Sequence, residues 1–510
     1  MRATAREVGP ELLRRRSLLG AAGAFAAATA AGCATPTAAS GPFDEADLAH
    51  ARELRERGLA DRTALRLVRE LCTGIGARPA GSPADAKAHA WAVAALSSLG
   101  LENVRAESLP LRIWQRGPAA ARLTAPVPRP LVMAALGNSV ATPEGGLEAE
   151  IAWYPDLAAL RADATERDES RVDRARGRIV FIDQRTERSR DGSGYGHAVP
   201  ARVNGAVEAA RRGAVALAIR SIGTSGASAT SATSGTSGTS GTSGPPIAHT
   251  GGMRYDLSVP RIPAFAVSVP DADFIATEHA AGRTLRLHLD LQARTGVEAT
   301  TANVIAEWRG TDLAHEIVLI SAHLDTWDVG QGAEDDGAGV AIVSAAAGLI
   351  AAAGRRARRT IRLVLFANEE NGFDGALAYG NRYREVPHQL VAESDFGAGR
   401  LYAVRSRVAQ AALPVVDAIA QLLAPLAIAH PEATRNQGNP GPDAGVLMRR
   451  HRWPAIALAQ DGSRYFDVHH TAHDTLDNLD TSALPQNVAA WAATAWLAAQ
   501  SPLPFGPPAL

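Results

Sequence analysis

From Asn303 to the C-terminus, short apolar runs alternate with longer stretches of helical period. NVIAEW (303–308), EIVLISA (316–322), RTIRLVLFA (359–367), HQLVAESD (388–395) and PAIALAQ (454–460) have the length and composition of buried strands. Helical patterns fall between and after them, at 340–353, 372–383, 408–423 and 484–500. This alternation predicts an α/β layer architecture: a mostly parallel mixed sheet flanked by helices. Nearer the N-terminus, helical patterns cover 43–71 and 83–99, separated by the turn-rich CTGIGARPAGSP. The stretch 101–109 then alternates as a strand.

Between about Trp114 and Val297 the pattern changes. Strand-like pieces recur at 147–153, 178–182, 214–219, 264–269 and 285–291, with one helical pattern at 204–212. They predict a smaller domain inserted into the larger one. Within it, 224–244 is almost entirely Ser, Thr, Gly and Ala, too poor in apolar surface to offset its ordering entropy, and is expected to be a disordered loop. At the N-terminus, Arg14, Arg15 and Arg16 precede Ser17-Leu18-Leu19 and an Ala-rich stretch to Gly32, the pattern of an export signal of twin-arginine type. Ala30-Ala31-Gly32-Cys33 resembles a bacterial lipobox, which makes Cys33 a candidate lipid anchor; the alternative is simple cleavage and release. The expected organisation is an export signal at 1–33, a linker at 34–42, the first part of the main domain at 43–113, the insert at 114–297 and the rest of the main domain at 298–510. The expected location is the periplasm, the cell envelope or the extracellular space.

Composition narrows this picture. With 510 residues the chain exceeds one ordinary core, and 46% hydrophobic with 21% charged residues is a globular balance. A net charge of -1 gives no reason to expect nucleic acid as a partner. Two cysteines, Cys33 and Cys72, exclude a disulfide framework and a cysteine-built zinc cluster.

The chemistry concentrates at strand ends. SAHLDTWDVGQGAEDDGAGV (321–340) carries His323, Asp325, Asp328, Glu334, Asp335 and Asp336 in one glycine-rich loop between a strand and a helix. Glu369 and Glu370 follow the next strand, Asp395 the third and His470 the fourth. In open α/β sheets ligands bind beyond the carboxyl ends of the strands, and imidazole with carboxylate suits zinc or a similar divalent ion. Two His and three carboxylates, one of them bridging, make two sites of three protein ligands each, with positions left for water and substrate. Two ions roughly 3.5–4 Å apart can share a hydroxide and polarise a carbonyl. A carboxylate beside a ligand carboxylate is then the natural general base.

HLDTWDVGQGAEDDGAG, NEENGFDGA, ESDFG and YFDVHHTAHDT, in this order, resemble a zinc-dependent exopeptidase family, specifically its carboxypeptidase Q (plasma glutamate carboxypeptidase)-like branch. IGARPAGS near the start, LGNS and ATPEGG resemble it too. The resemblance implies two zinc ions: His323 and Asp395 on one, Glu370 and His470 on the other, Asp335 bridging, with a cis peptide to Asp336. It implies that Glu369 moves the proton from water to the leaving amine and that Asp325 orients His323. The insert resembles a protease-associated domain. His470 is preferred over His469 and His473 because Thr471 follows it. Asp443 and Tyr465 are candidate substrate-binding residues.

The activity so implied is hydrolysis of dipeptides or short peptides. Alternatives are an aminopeptidase on longer peptides, a glutaminyl cyclase-like acyltransferase using one zinc, and a receptor-like binding protein that has lost its metals. The last is disfavoured because all five ligands are present. Cobalt or manganese could replace zinc, and this branch is often dimeric.

Overall fold

The computed structural model describes residues 41–163, 174–224 and 246–508. The expected export signal, the Cys33 anchor, residues 34–40 of the linker and residues 225–244 of the low-complexity run lie outside the described residues. Among those described there are thirteen strands: β1 (Glu102–Ala125), β2 (Arg129–Leu131), β3 (Met133–Ala135), β4 (Leu147–Tyr154), β5 (Ile179–Ile182), β6 (Ala216–Arg220), β7 (Ala264–Val267), β8 (Arg286–Trp308), β9 (Leu313–His323), β10 (Arg359–Phe366), β11 (His388–Glu393), β12 (Leu401–Arg407) and β13 (Ala455–Gln460).

Hydrogen bonding orders them β12-β13-β11-β9-β10-β8-β4-β5-β6-β7-β3, with β1 beside β8 and β2 beside β1. The centre of the first half is parallel: β9 lies between β10 and β11, and β13 continues from β11. β12 closes that edge antiparallel to β13, and β8 lies antiparallel to β10. In the second half β4, β5, β6 and β7 run parallel, and β3 closes the edge antiparallel. The expected mixed α/β sheet is therefore present.

The two-residue period of the strands splits their side chains between faces. In β9, Val318, Ile320 and Ala322 join one buried cluster with the Ala338–Ala353 and Leu484–Gln500 helices, while Ile317 and Leu319 join another on the opposite face. In β5, Val180 and Ile182 pack on one side and Ile179 and Phe181 on the other. The chain from Gly41 onward nevertheless forms one compact unit. The Ala338–Ala353 helix together with the turn before it, Ala333–Ala353, is long and apolar enough to pass for a membrane span, but 89% of its most apolar window is buried among other elements, so it is the central helix of the core.

Several elements differ from the sequence pattern. The 43–71 stretch is two helices, Glu45–Leu59 and Thr63–Gly74. The break falls where Asp61 accepts hydrogen bonds from the Thr63 backbone N–H and hydroxyl. The expected strands at 285–291 and 303–308 are one strand, β8. Its middle is exposed and polar and is held by its ladder to β1, so hydrophobic period carries no trace of it. β1 likewise runs well past Leu109, and Ile113 faces Val297 across the ladder. β12 and the Pro442–His451 helix are additional elements.

Candidate metal centre

Parallel strands ending at one level bring distant residues together. His323 is the last residue of β9; Glu369 and Glu370 lie in the turn after β10, Asp395 two residues after β11 and His470 in the loop after β13. Between β9 and its helix the chain makes a single π-turn, Ala333–Gly337, with Asp335 and Asp336 in non-helical conformations and a cis peptide between them.

The side chains converge. His323 Nε2 lies 3.0 Å from Asp335 Oδ1 and 3.3 Å from Asp395 Oδ1. His470 Nε2 lies 3.2 Å from Asp335 Oδ2 and 3.0 Å from Glu370 Oε2. Asp335 thus turns one oxygen to each histidine, and each histidine also faces a second carboxylate. His323 Nδ1 sits 3.0 Å from the Asp325 carbonyl, an acceptor, so that nitrogen donates and Nε2 is the atom turned to the two carboxylates. An imidazole nitrogen and two carboxylates crowded in a buried site call for positive charge between them, a proton or a metal ion. Asp335 Oδ2 has no hydrogen-bond partner. The donor set therefore suits divalent metal, with His323 and Asp395 on one side of Asp335 and Glu370 and His470 on the other.

The electrostatics point the same way. Burial alone would lower His323, but Asp395 and Asp335 outweigh it and hold the imidazole well above its ordinary value. Burial, with the Asp335 charge beside it, pushes Glu370 well up. Burial also raises Glu369, and Asp395 and Glu370 add to the rise while His323 opposes it. Metal cations would relieve this crowding of carboxylates.

Other groups hold the constellation in shape. Asp336 accepts the backbone N–H groups of His323 (3.2 Å) and Gly339 (3.1 Å), tying strand end to helix start. Gly339 is required there: a Cβ would collide with the Asp336 carboxylate and the Ser394 carbonyl. Asp325 Oδ1 accepts the Glu369 N–H at 3.1 Å and lies 3.8 Å from His323 Nδ1, so the closer support of the imidazole is the Asp325 carbonyl.

Three supports were not singled out by sequence reasoning. Asp474 accepts N–H groups from Ala333, Glu334 and Asp335 at 2.8, 2.7 and 3.2 Å, and so sets the position of Asp335. Trp327 N–H donates to Glu370 Oε1 at 3.2 Å. Arg78, fully buried, donates to the carbonyls of Leu324 (2.6 Å), Gln331 (2.8 Å) and Gly332 (3.2 Å) and braces both ends of the glycine-rich loop. Each lies inside a quoted motif, but Asp474 and Arg78 work on backbone groups and Trp327 through its own backbone N–H, and nothing in a sequence marks such contacts.

A cavity of about 730 Å³ opens onto Asp335, Glu369, Glu370, Asp395 and His470. Tyr465 lines it; Asp443 does not, being fully buried in the Pro442–His451 helix with both carboxylate oxygens unpartnered. His469 stacks on His470 with ring centroids 3.5 Å apart, and its Nε2 is 3.5 Å from Asp335 Oδ2. It meets no second carboxylate as His470 meets Glu370. Asp328 pairs with Arg116, away from the centre.

Residues 303–495, which contain His323, Asp335, Glu369, Glu370, Asp395 and His470, match the model of peptidase family M28. Mouse carboxypeptidase Q is 32% identical over 428 residues, covering 83% of each chain, and human carboxypeptidase Q is 32% identical over 431 residues with the same coverage. The chain belongs to peptidase family M28. The family places it among the peptidases, and the buried histidine–carboxylate pairs make it a metallopeptidase. The M28 peptidase precursor from Shewanella amazonensis SB2B superposes with a TM-score of 0.83 at 41% identity, over 92% of this chain and all of the other. The aminopeptidase from Aneurinibacillus sp. strain AM-1 shares the fold, with a TM-score of 0.57 at 18% identity over 90% of this chain and 98% of the other.

Proposed function

We propose that this M28 member is a two-zinc exopeptidase hydrolysing dipeptides or short peptides. The supporting observation is the split of Asp335: one oxygen beside His323 and Asp395, the other beside His470 and Glu370, with Glu369 lining the same cavity. When bound, zinc polarises the scissile carbonyl and lowers the pKa of a water ligand. Asp335, His323, Asp395, Glu370 and His470 hold the ions. Glu369, which lines the same cavity beside Glu370, takes a proton from the attacking water and passes it to the leaving nitrogen. Asp325 keeps His323 and Glu369 in fixed relation through its carbonyl and its carboxylate. Tyr465 contacts substrate from the cavity wall.

The 114–297 segment acts in this reading as a protease-associated-like wall over the cleft. A cavity of this size suits a ligand of a few residues rather than a folded protein. Relatives named carboxypeptidase Q support cleavage beside a free carboxyl end. Residues 1–33 direct export, with Cys33 the candidate for lipidation.

The test is hydrolysis of a dipeptide library by purified protein with and without chelator, alongside zinc analysis. Activity lost on chelation and restored by zinc supports the reading; undiminished cleavage by metal-free protein or by Glu369→Gln sinks it.

A further inference from the structure

Among the described residues three arginines line the cavity, and they are held differently. Arg202, 6% exposed, donates to the Tyr195 hydroxyl at 2.8 Å and to the Gly252 and Thr250 carbonyls at 3.3 and 3.4 Å, with no ion pair. Arg254 is exposed to solvent. Arg405, on β12, is half-buried, and its guanidinium makes no hydrogen bond and no ion pair among the described residues. Its Nε is shut off from solvent and has no partner. Arg407, on the same strand, shows the contrast, because its Nε donates to the Gly438 carbonyl at 3.1 Å. A guanidinium N–H withdrawn from water without an acceptor is costly unless a ligand supplies one.

The surroundings of Arg405 suit an anion. Its partner across the ladder is Ala457, which also lines the cavity, so only a methyl group fills the neighbouring position on the sheet. Tyr402 and Asn439 line the same cavity. Asn439 follows Gly438, whose N–H bonds the Ser406 carbonyl at 2.9 Å and where a Cβ would press on the Arg405 backbone, so Asn439 is held beside Arg405. Arg190 pairs with Asp461 and lies over the Tyr402 ring, 3.8 Å from its centroid, which steadies the ring and adds positive charge. Asp191, an acid on the cavity, already accepts from the Ser193 N–H and hydroxyl at 3.1 and 2.7 Å; those bonds hold its carboxyl below its ordinary range, and Arg405 adds a small part. The distance matters as well. Asp395 follows β11, and β13 lies between β11 and β12. With neighbouring strands about 4.8 Å apart, Arg405 starts on the order of 10 Å from the strand that carries Asp395. In a dipeptide both termini stay close to the scissile peptide, whereas a side-chain carboxylate extends away from it.

We infer that Arg405, with Tyr402 and Asn439, receives a carboxylate carried on a substrate side chain, so that the enzyme prefers dipeptides containing glutamate to their neutral counterparts. This rests on the two-zinc exopeptidase reading and adds to it the residue that selects the side chain. Arginine suits the task because its planar fork meets a carboxylate with two parallel hydrogen bonds. The glutamate can stand on either side of the cut, and the two orders of one dipeptide tell these apart.

The experiment measures kcat/KM on the zinc-loaded full-length enzyme for glutamyl-alanine against glutaminyl-alanine, and for alanyl-glutamate against alanyl-glutamine. In one of the two orders the wild type is expected to favour glutamate over glutamine about ten- to a hundredfold, the worth of a charge-assisted hydrogen bond. In Arg405→Met that ratio falls to about one, with the loss chiefly in KM of the glutamate substrate. Arg405→Glu reverses it, favouring lysine over glutamate at the same position. Arg254→Met keeps the wild-type ratio. Equal values for glutamate and glutamine in both orders of the wild type, or a preference that survives in Arg405→Met, overturn the inference. Should Arg405→Met not fold, Arg405→Gln keeps length and polarity without the charge, and a wild-type ratio there overturns it equally. A wild type that cleaves no dipeptide at all, alanyl-alanine included, refutes the exopeptidase reading instead.

Discussion

The cavity has two walls of opposite chemistry. One, built from the ends of β9, β10 and β11 and the loop after β13, presents carboxylates and imidazoles. The other, from the Ser193–Ala198 and Pro200–Arg211 helices and the Thr250–Met253 stretch, presents Tyr195, Arg202 and Met253. In the functional reading given above the first wall performs the cleavage and the second stands over the cleft. The difference teaches that the two can be altered separately, because they sit on elements that belong to different buried clusters.

Removing the shared carboxylate should break the comparison most severely. Asp335→Ala is expected to abolish both zinc retention and dipeptide hydrolysis, read by metal analysis and a ninhydrin assay. Glu369→Gln should lower kcat by about 10²–10⁴-fold with zinc content unchanged, which separates proton transfer from metal holding. Arg78→Met leaves several buried carbonyls unsatisfied and should cost on the order of 3 kcal/mol in stability, read by denaturant unfolding. In Asp474→Asn one acceptor becomes a donor facing backbone N–H groups. Zinc affinity should fall about 10–100-fold in chelator competition.

The smallest effect lies away from both walls. His388 stacks on Trp453 at 3.6 Å, its Nε2 is 2.8 Å from the Tyr379 hydroxyl and its Nδ1 2.8 Å from the Val386 carbonyl, an arrangement that holds the neutral ring. Burial lowers its pKa from 6.5 to about 3. A histidine neutral in the fold and free to protonate when unfolded contributes stability that is complete above pH 6.5 and lost as pH falls towards 3. Thermal melting of His388→Gln should show a shallower loss across that range than the wild type.

How much of this the sequence discloses depends on what each residue acts upon. His323, Glu370, Asp395 and His470 are legible because each follows an apolar run, and strand ends are where an α/β sheet gathers its chemistry. The Leu484–Gln500 helix is legible for a similar reason, since its apolar periodicity is uninterrupted. β12 is not, because Arg405 and Arg407 alternate with small residues on an edge strand and read as polar chain. Asp474 and Arg78 are invisible as supports because their partners are backbone groups, identical at every position. Arg202 is one of many arginines until the fold shows that no acid stands beside it.

The long β1–β8 ladder has a topological consequence. Ile113 and Val297 face each other in register, so the chain departs from the main sheet and re-enters it at adjacent points. The excursion between them is a closed detour: a short turn joining those two positions would leave the remaining rungs of the ladder paired. A shortened chain of that design would keep His323, Asp335, Glu370, Asp395 and His470 and lose the wall that carries Arg202, and its residual cleavage would measure what the detour adds.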